Sequence, residues 1–376
     1  AEAYQLTQPA GASNSKKQKK TRNPKDLSAV IAAGKKKAKA ENAQEAKVLG
    51  DDPNERLRET GNRTGLRNLG ATCYMNSLLQ TLYMNRSFRR GIFSWRLPDS
   101  DKRKSSDFRE SIMHQVQLLF ANLQHSNAAC YDPEELTKGL NIDVGVQQDA
   151  QEFNKLILTF LEDQLQHSPD QSLHGLVQKH FRGEFCYSTI CQSCKQPSQS
   201  SHNKYPFYEL ELNLKPTLAE SLADYVQSDY LEGDNQYLCE NCNGKRDATR
   251  QIALRSLPPV LTLQLLRFVF DPVTFGKKKV TSSITFPEVL DMSPYVNKDG
   301  GEGGSSGGGD MKYRLTAVLM HTGPSAHAGH YTARIMEQPP GEVGDGDGAA
   351  ANGHNNGGGA SSLDDARWWT FNDETV

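Results

Sequence analysis

A single cysteine stands where a turn gives way to a helix, in Gly65-Leu66-Arg67-Asn68-Leu69-Gly70-Ala71-Thr72-Cys73-Tyr74-Met75-Asn76-Ser77-Leu78-Leu79-Gln80. Asn68, Gly70 and Thr72 are residue types suited to tight turns and helix starts. Met75, Leu78, Leu79 and Leu82 then recur at helical spacing with one buried face. A thiol at that point lies near unpaired backbone N–H groups and the positive end of the helix dipole. Both favour the thiolate, which is the nucleophile. The same residues also read as a helix with a small buried core cysteine. Far downstream stand Gly329-His330-Tyr331-Thr332-Ala333 and Trp368-Trp369-Thr370-Phe371-Asn372-Asp373. They supply an imidazole and then a side-chain oxygen, the partners that thiol chemistry requires.

An early cysteine, a late histidine and an Asn or Asp after it is the chain order of papain-like proteases, whose partners meet only in the fold. With Gln147-Gln148-Asp149-Ala150-Gln151-Glu152-Phe153 and Leu257-Pro258-Pro259-Val260-Leu261-Thr262-Leu263-Gln264-Leu265-Leu266-Arg267-Phe268 between them, these boxes resemble the ubiquitin-specific proteases. The resemblance runs from about Gly65 to Val376. It implies Cys73 as nucleophile, His330 as its acid–base partner and Asn372 as the residue that orients the imidazole. Asp373 is the rival or helper for that third role. It also implies that the Asn68 amide and the Cys73 backbone N–H stabilise the oxyanion; without the match, Asn68 reads as a turn residue bonding its own backbone. Asp149 and Glu152, three apart at a helix start, share one face. They would meet the arginines of ubiquitin's tail, although both also complement the helix dipole. Gly329 and Tyr331 would line the narrow channel beside the scissile bond. His321 and His327 read as loop residues near the substrate rather than the base.

Cys191-x-x-Cys194 and Cys239-x-x-Cys242 form two knuckles separated by a strand-rich stretch. Four thiolates in this pairing suit a closed, structural zinc site, against unmetallated thiols or disulfides. The resemblance places such knuckles at the tip of a finger sheet. Cys130 and Cys186 have no partner spacing. With seven cysteines, four of them so paired, the chain points to a reducing compartment and metal rather than a disulfide framework.

Helical stripes at Ile112, Met113, Val116, Leu119, Phe120 and Leu123, and from Asp149 to Leu165, surround the nucleophile segment. From Arg182 the pattern shifts to strands, including alternation over Phe207–Leu212 and Val260–Phe270. Helices first and strands later give an α+β fold. The resemblance implies a papain-like cysteine protease with a helical thumb, a β-rich palm and zinc-bearing fingers at about 183–256. Residues 63–376 would be the catalytic domain. Residues 1–62 read as a mostly disordered basic arm carrying two lysine clusters, with a transient helix around Ser28–Ala46; a nuclear import signal and plain solvated charge are both open readings. Residues 299–310 and 337–366 read as low-complexity insertions between paired strands, tolerated because closure entropy grows slowly with loop length.

The family usually continues past Asn372 to a closing palm strand, so the chain is expected to lack that strand and to leave an unpaired edge beside the site. That gives an alternative: a catalytically impaired ubiquitin-binding module. A zinc-and-basic-arm nucleic-acid binder is a third reading, but it leaves the Cys73 and His330 boxes unexplained. A formal charge of −2 over 376 residues neither demands nor excludes nucleic acid. The chain shows no apolar run of membrane-span length and no opening signal peptide. Within the family, Asn235–Cys242 and Lys277–Ile284 most resemble the plant 26 and animal 48 type. This implies ubiquitin and ubiquitinated proteins as partners and a nuclear enzyme acting on ubiquitinated histone H2B on chromatin, with a cytoplasmic setting the open alternative.

Overall fold

A computed structural model describes residues 56–96, 111–272, 275–296, 311–325, 328–337 and 367–376. The basic arm up to residue 55, the helix expected at Ser28–Ala46, His327 and both insertions apart from Glu337 lie outside the described residues.

Helices α1 (Cys73–Met84), α2 (Arg86–Ser94), α3 (Ile112–His125), α4 (Glu134–Gly139), α5 (Ala150–Gln166) and α6 (Leu176–Phe181) come first. Asn85 ends α1 and begins α2, its side chain accepting from the Phe88 N–H at 3.0 Å. The helical stripes face inward: Tyr74, Met75, Leu79, Phe88, Ile92, Met113, Phe120, Phe153 and Ile157 make one buried cluster. Tyr331, from near the other end of the chain, is part of that cluster. Strands β1 (Gly65–Leu66) and β2 (Cys130–Tyr131) pair in parallel and fix the approach to α1.

From Gly183 the chain is mostly β. Strands β3 (Gly183–Cys191) and β4 (Tyr205–Phe207) are followed by β5 (Leu210–Leu212), β6 (Asp229–Leu231), β7 (Tyr237–Cys239), β8 (Gly244–Arg246) and β9 (Ala248–Ser256). A four-stranded sheet has the order β4-β3-β9-β6, and β7 and β8 form a separate hairpin. The alternating run at 207–212 is two strands rather than one. Between them the Tyr208 hydroxyl donates to Glu162 of α5 at 2.7 Å, and Glu209 pairs with Lys155 at 3.2 Å. These two anchors turn the chain out of one sheet, so β5 pairs in parallel with β10 (Leu263–Leu265) instead. Helix α7 (Leu218–Tyr225) interrupts the strands; its Thr217 cap accepts from the Glu220 N–H at 3.1 Å.

Strands β11 (Phe268–Asp271) and β12 (Gly276–Lys279) form a hairpin. Strands β13 (Val289–Asp291) and β14 (Lys312–Arg314) pair antiparallel across the first insertion. The last sheet is β15 (Ala317–Ser325), β16 (Ala328–Glu337) and β17 (Arg367–Phe371), in that order and antiparallel. The second insertion thus joins two paired strands, as its flanks suggest. Among the described residues β17 has one strand neighbour.

Candidate active site

Cys73 is the first residue of α1, and the Thr72 side chain at the cap position turns back to the preceding turn rather than to the helix. The turn before it is held by Asn68, whose Oδ1 accepts from the Gly70 N–H at 3.0 Å, the Thr72 N–H at 3.2 Å and the Thr72 hydroxyl at 3.3 Å. That is the local turn chemistry of a short amide. The other end of the same amide reaches across the molecule: Nδ2 donates to Asp373 Oδ2 at 2.8 Å.

Cys73 is only 2 % exposed, and its Sγ accepts from the Tyr331 N–H at 3.3 Å. Burial pushes the thiol above its ordinary range. The backbone N–H groups of Tyr331, Tyr74 and Cys73 oppose that rise, and the Asp373 charge adds to it. Desolvation therefore opposes what the helix start favours here.

His330, adjoining the residue that touches the sulfur, lies opposite Thr322 in the β15–β16 ladder. Its Nε2 lies 2.6 Å from Asn372 Oδ1 and 3.7 Å from Asp373 Oδ2. An amide oxygen only accepts, so the ring proton is on Nε2 and Nδ1 is free to take a proton. Asn372 thus makes the hydrogen bond to the imidazole, and Asp373 stands behind it.

Asp373 is buried, with a left-handed backbone at φ 48°. Its carboxylate accepts from Asn68 and, at 2.8 Å, from Asn76 Nδ2. Burial pushes the carboxyl up, while those two amides and the neighbouring His330 pull it down. Its carbonyl accepts from the Leu66 N–H at 2.8 Å, and Glu374 accepts from the Asn68 N–H at 2.8 Å. Gly65 permits this closeness: a Cβ there would stand 2.5 Å from the Asp373 oxygen and 2.6 Å from that of Glu374.

Asn76 and Glu374 are site residues that the sequence reading passed over. Asn76 is 2 % exposed among the apolar residues of α1, with Gln80 buried one turn further on, and it also donates to the Arg67 carbonyl at 3.1 Å. An amide inside an apolar stripe is the signal that marks it.

Asp149 caps α5, accepting from the Gln151 N–H at 2.9 Å, and Glu152 follows in the first turn, exposed. Both carboxylates lie close enough to Tyr331 for their charges to raise its phenol, after burial itself. Gly329 has φ 157°, and a Cβ there would stand 2.4 Å from His321 Nε2. His321 lies in β15 with its ring 4.7 Å from that of Tyr331.

The four knuckle cysteines gather at one point, all their Sγ atoms within 4.8 Å of one another. Cys191 and Cys242 are 4.0 Å apart, and Cys194 and Cys239 3.7 Å. A tetrahedron of sulfurs about 2.3 Å from a zinc ion has edges of about 3.8 Å, so the donor set fits. Lys195 and Asn243, each just after a knuckle, share a left-handed backbone with φ 62° and 51°. Cys130 and Cys186 are buried and are not part of this cluster.

Residues 64–376 match the family described as ubiquitin carboxyl-terminal hydrolase. The chain is 43 % identical to ubiquitin carboxyl-terminal hydrolase 48 of Danio rerio over 76 % of its own length and 27 % of that protein's. It is 41 % identical to ubiquitin carboxyl-terminal hydrolase 26 of Oryza sativa subsp. japonica, covering 88 % of this chain and 27 % of the relative. Against ubiquitin carboxyl-terminal hydrolase 48 of Rattus norvegicus the identity is 38 %, over 87 % of this chain and 29 % of the relative. The chain thus spans between a quarter and a third of the length of these relatives. With a cysteine, a histidine and an amide from three distant segments brought to one place, and with these matches, the chain belongs to the ubiquitin carboxyl-terminal hydrolase family.

Proposed function

We propose that this chain is a thiol isopeptidase that hydrolyses the bond after the C-terminal glycine of ubiquitin on protein conjugates. The observation that carries the reading is the Tyr331 N–H on Cys73 Sγ, with His330 next in sequence and held by Asn372. His330 Nδ1 takes the thiol proton as the sulfur attacks the carbonyl, and the tetrahedral oxyanion is met by the Cys73 N–H and the second hydrogen of the Asn68 amide. The imidazolium then protonates the departing lysine amine. Water, deprotonated by the same imidazole, cleaves the thioester and frees the sulfur. Asn372 fixes the tautomer throughout, and Asp373 stabilises the imidazolium from 3.7 Å while holding Asn68 in place. Asp149 and Glu152 bind the basic tail of ubiquitin, and the bare Cα of Gly329 with Tyr331 narrows the channel to glycine.

Cys191, Cys194, Cys239 and Cys242 would hold a structural zinc ion, which would tie the tips of β3 and β7 together without entering the reaction. Ubiquitinated histone H2B in the nucleus belongs to the same reading; the lysine clusters of residues 16–39 support import. A ubiquitin bearing a C-terminal electrophile tests the central claim. It should form a one-to-one covalent adduct located at Cys73 by peptide mapping and absent in Cys73→Ala. Tight binding without an adduct would instead make the chain a ubiquitin-binding module.

A further inference from the structure

The hairpin that carries His330 is irregular where it matters most. The β15–β16 ladder runs in register to Thr322 opposite His330 and then shifts before Ser325 pairs with Ala328. Gly323, just past the shift, has φ 143°, and a Cβ there would stand 2.5 Å from both the Ala328 oxygen and the Gly329 Cα. A side chain from another hairpin fills this break. Lys279, at the end of β12, places its Nζ 2.9 Å from His321 Nδ1, 3.0 Å from the His321 carbonyl and 2.8 Å from the Gly323 carbonyl. An ammonium has three N–H donors, and here each has one acceptor. The two carbonyls flank Thr322, the register partner of His330.

The contact reaches further through the His321 ring. An ammonium cannot accept, so His321 Nδ1 must, and the ring is neutral with its proton on Nε2. Gln147 Nε2 lies 3.2 Å from His321 Nε2, and the amide turned about so that its oxygen faces the ring would accept that proton. The ring is fixed between the Phe268 ring at 5.4 Å and the Tyr331 ring at 4.7 Å. Its Nε2 edge abuts the bare Cα of Gly329, the residue before His330. Burial and then the Lys279 charge hold the imidazole below its ordinary range, which agrees with a neutral ring.

We infer that Lys279 is a positioning residue for catalysis, a three-pronged clamp that sets the register of the His330 strand through the His321 ring and the two carbonyls around Thr322. The inference rests on the isopeptidase reading above. None of the three Lys279 acceptors belongs to Cys73, Asp149, Glu152, Gly329 or Tyr331, so its effect should fall on turnover rather than on binding. Misplacing a catalytic group by about 1 Å can cost about a hundredfold in rate.

The test is steady-state hydrolysis of a fluorogenic ubiquitin C-terminal amide by wild type, Lys279→Met and Lys279→Gln. Each rate is divided by the fraction of protein that forms an adduct with the ubiquitin electrophile. Lys279→Met keeps the length of the stem and removes all three donors; Lys279→Gln carries the test if the apolar variant does not fold. Expected is a fall in kcat of about tenfold or more, with KM changed by less than about twofold and ubiquitin affinity in a Cys73→Ala background unaltered. A kcat per active molecule equal to wild type would overturn the inference, as would a loss confined to KM. A wild-type chain that forms no adduct would instead sink the isopeptidase reading itself.

Discussion

At the scale of single residues, the arrangement around His330 assigns separate tasks to two adjacent side chains. Asn372 holds the ring at 2.6 Å, while the Asp373 carboxylate joins the turn before Cys73 to the helix that follows it. Asn372→Ala should therefore lower kcat by about ten- to a hundredfold at nearly constant KM, because the tautomer is no longer enforced. Equal kcat in the two proteins would shift the orienting role to Asp373. Cys73, His330 and Asn372 could be singled out as candidates from sequence because each lies in a short box with its own local signature. What could not be read was the joint between the boxes. The link from Asn76 to Asp373 spans most of the chain, and nothing local to either residue reports it. Nor does helix position reveal how deeply Cys73 is buried, and it is that burial which opposes the thiolate.

At the scale of elements, β1 and the turn after β17 are pressed together at Gly65, where no side chain intervenes. Gly65→Ala would force a methyl group to within 2.5 Å of the Asp373 carbonyl and push the two segments apart. The expected result is a stability loss of about 1–3 kcal/mol and a lower kcat, measured by urea unfolding and amide hydrolysis; an unchanged protein would mean that the two segments are not in contact. The long helices were legible because their apolar stripes are strongly periodic, and the strands bordering both insertions because their alternation is. The break at Tyr208 and Glu209 was not, since it depends on Glu162 and Lys155 from α5. The Thr217–Glu220 cap did announce α7, but it was hidden within a strand-rich stretch. Parallel pairing of β5 with β10 has no local signature at all.

At the scale of the whole molecule, one buried imidazole and one half-buried imidazole link stability to pH. His180 donates from Nδ1 to the Leu176 carbonyl and accepts on Nε2 from Ser87, both at 2.9 Å, so it is neutral like His321. Burial depresses both below the ordinary 6.5. A depressed value means the unfolded chain takes up the proton first, so the stabilisation is complete above about pH 6.5 and is lost as pH falls through the folded values. The thermal midpoint should drop between pH 7 and 5, and His180→Gln, which does not titrate there, should flatten that slope. Metal analysis should find one zinc per chain, and a strong chelator should lower the thermal midpoint by several degrees. A chain free of zinc with an unchanged midpoint would leave the four cysteines as thiols. The contact between Gly65 and Asp373 has one more consequence, for the life of the protein during its synthesis. A nascent polypeptide still missing its segment 367–376 already carries the sulfur and the imidazole, but neither the amide that orients the ring nor the carboxylate that anchors the turn. The hydrogen bonds that join the two halves of the site can therefore form only once translation has passed Asp373.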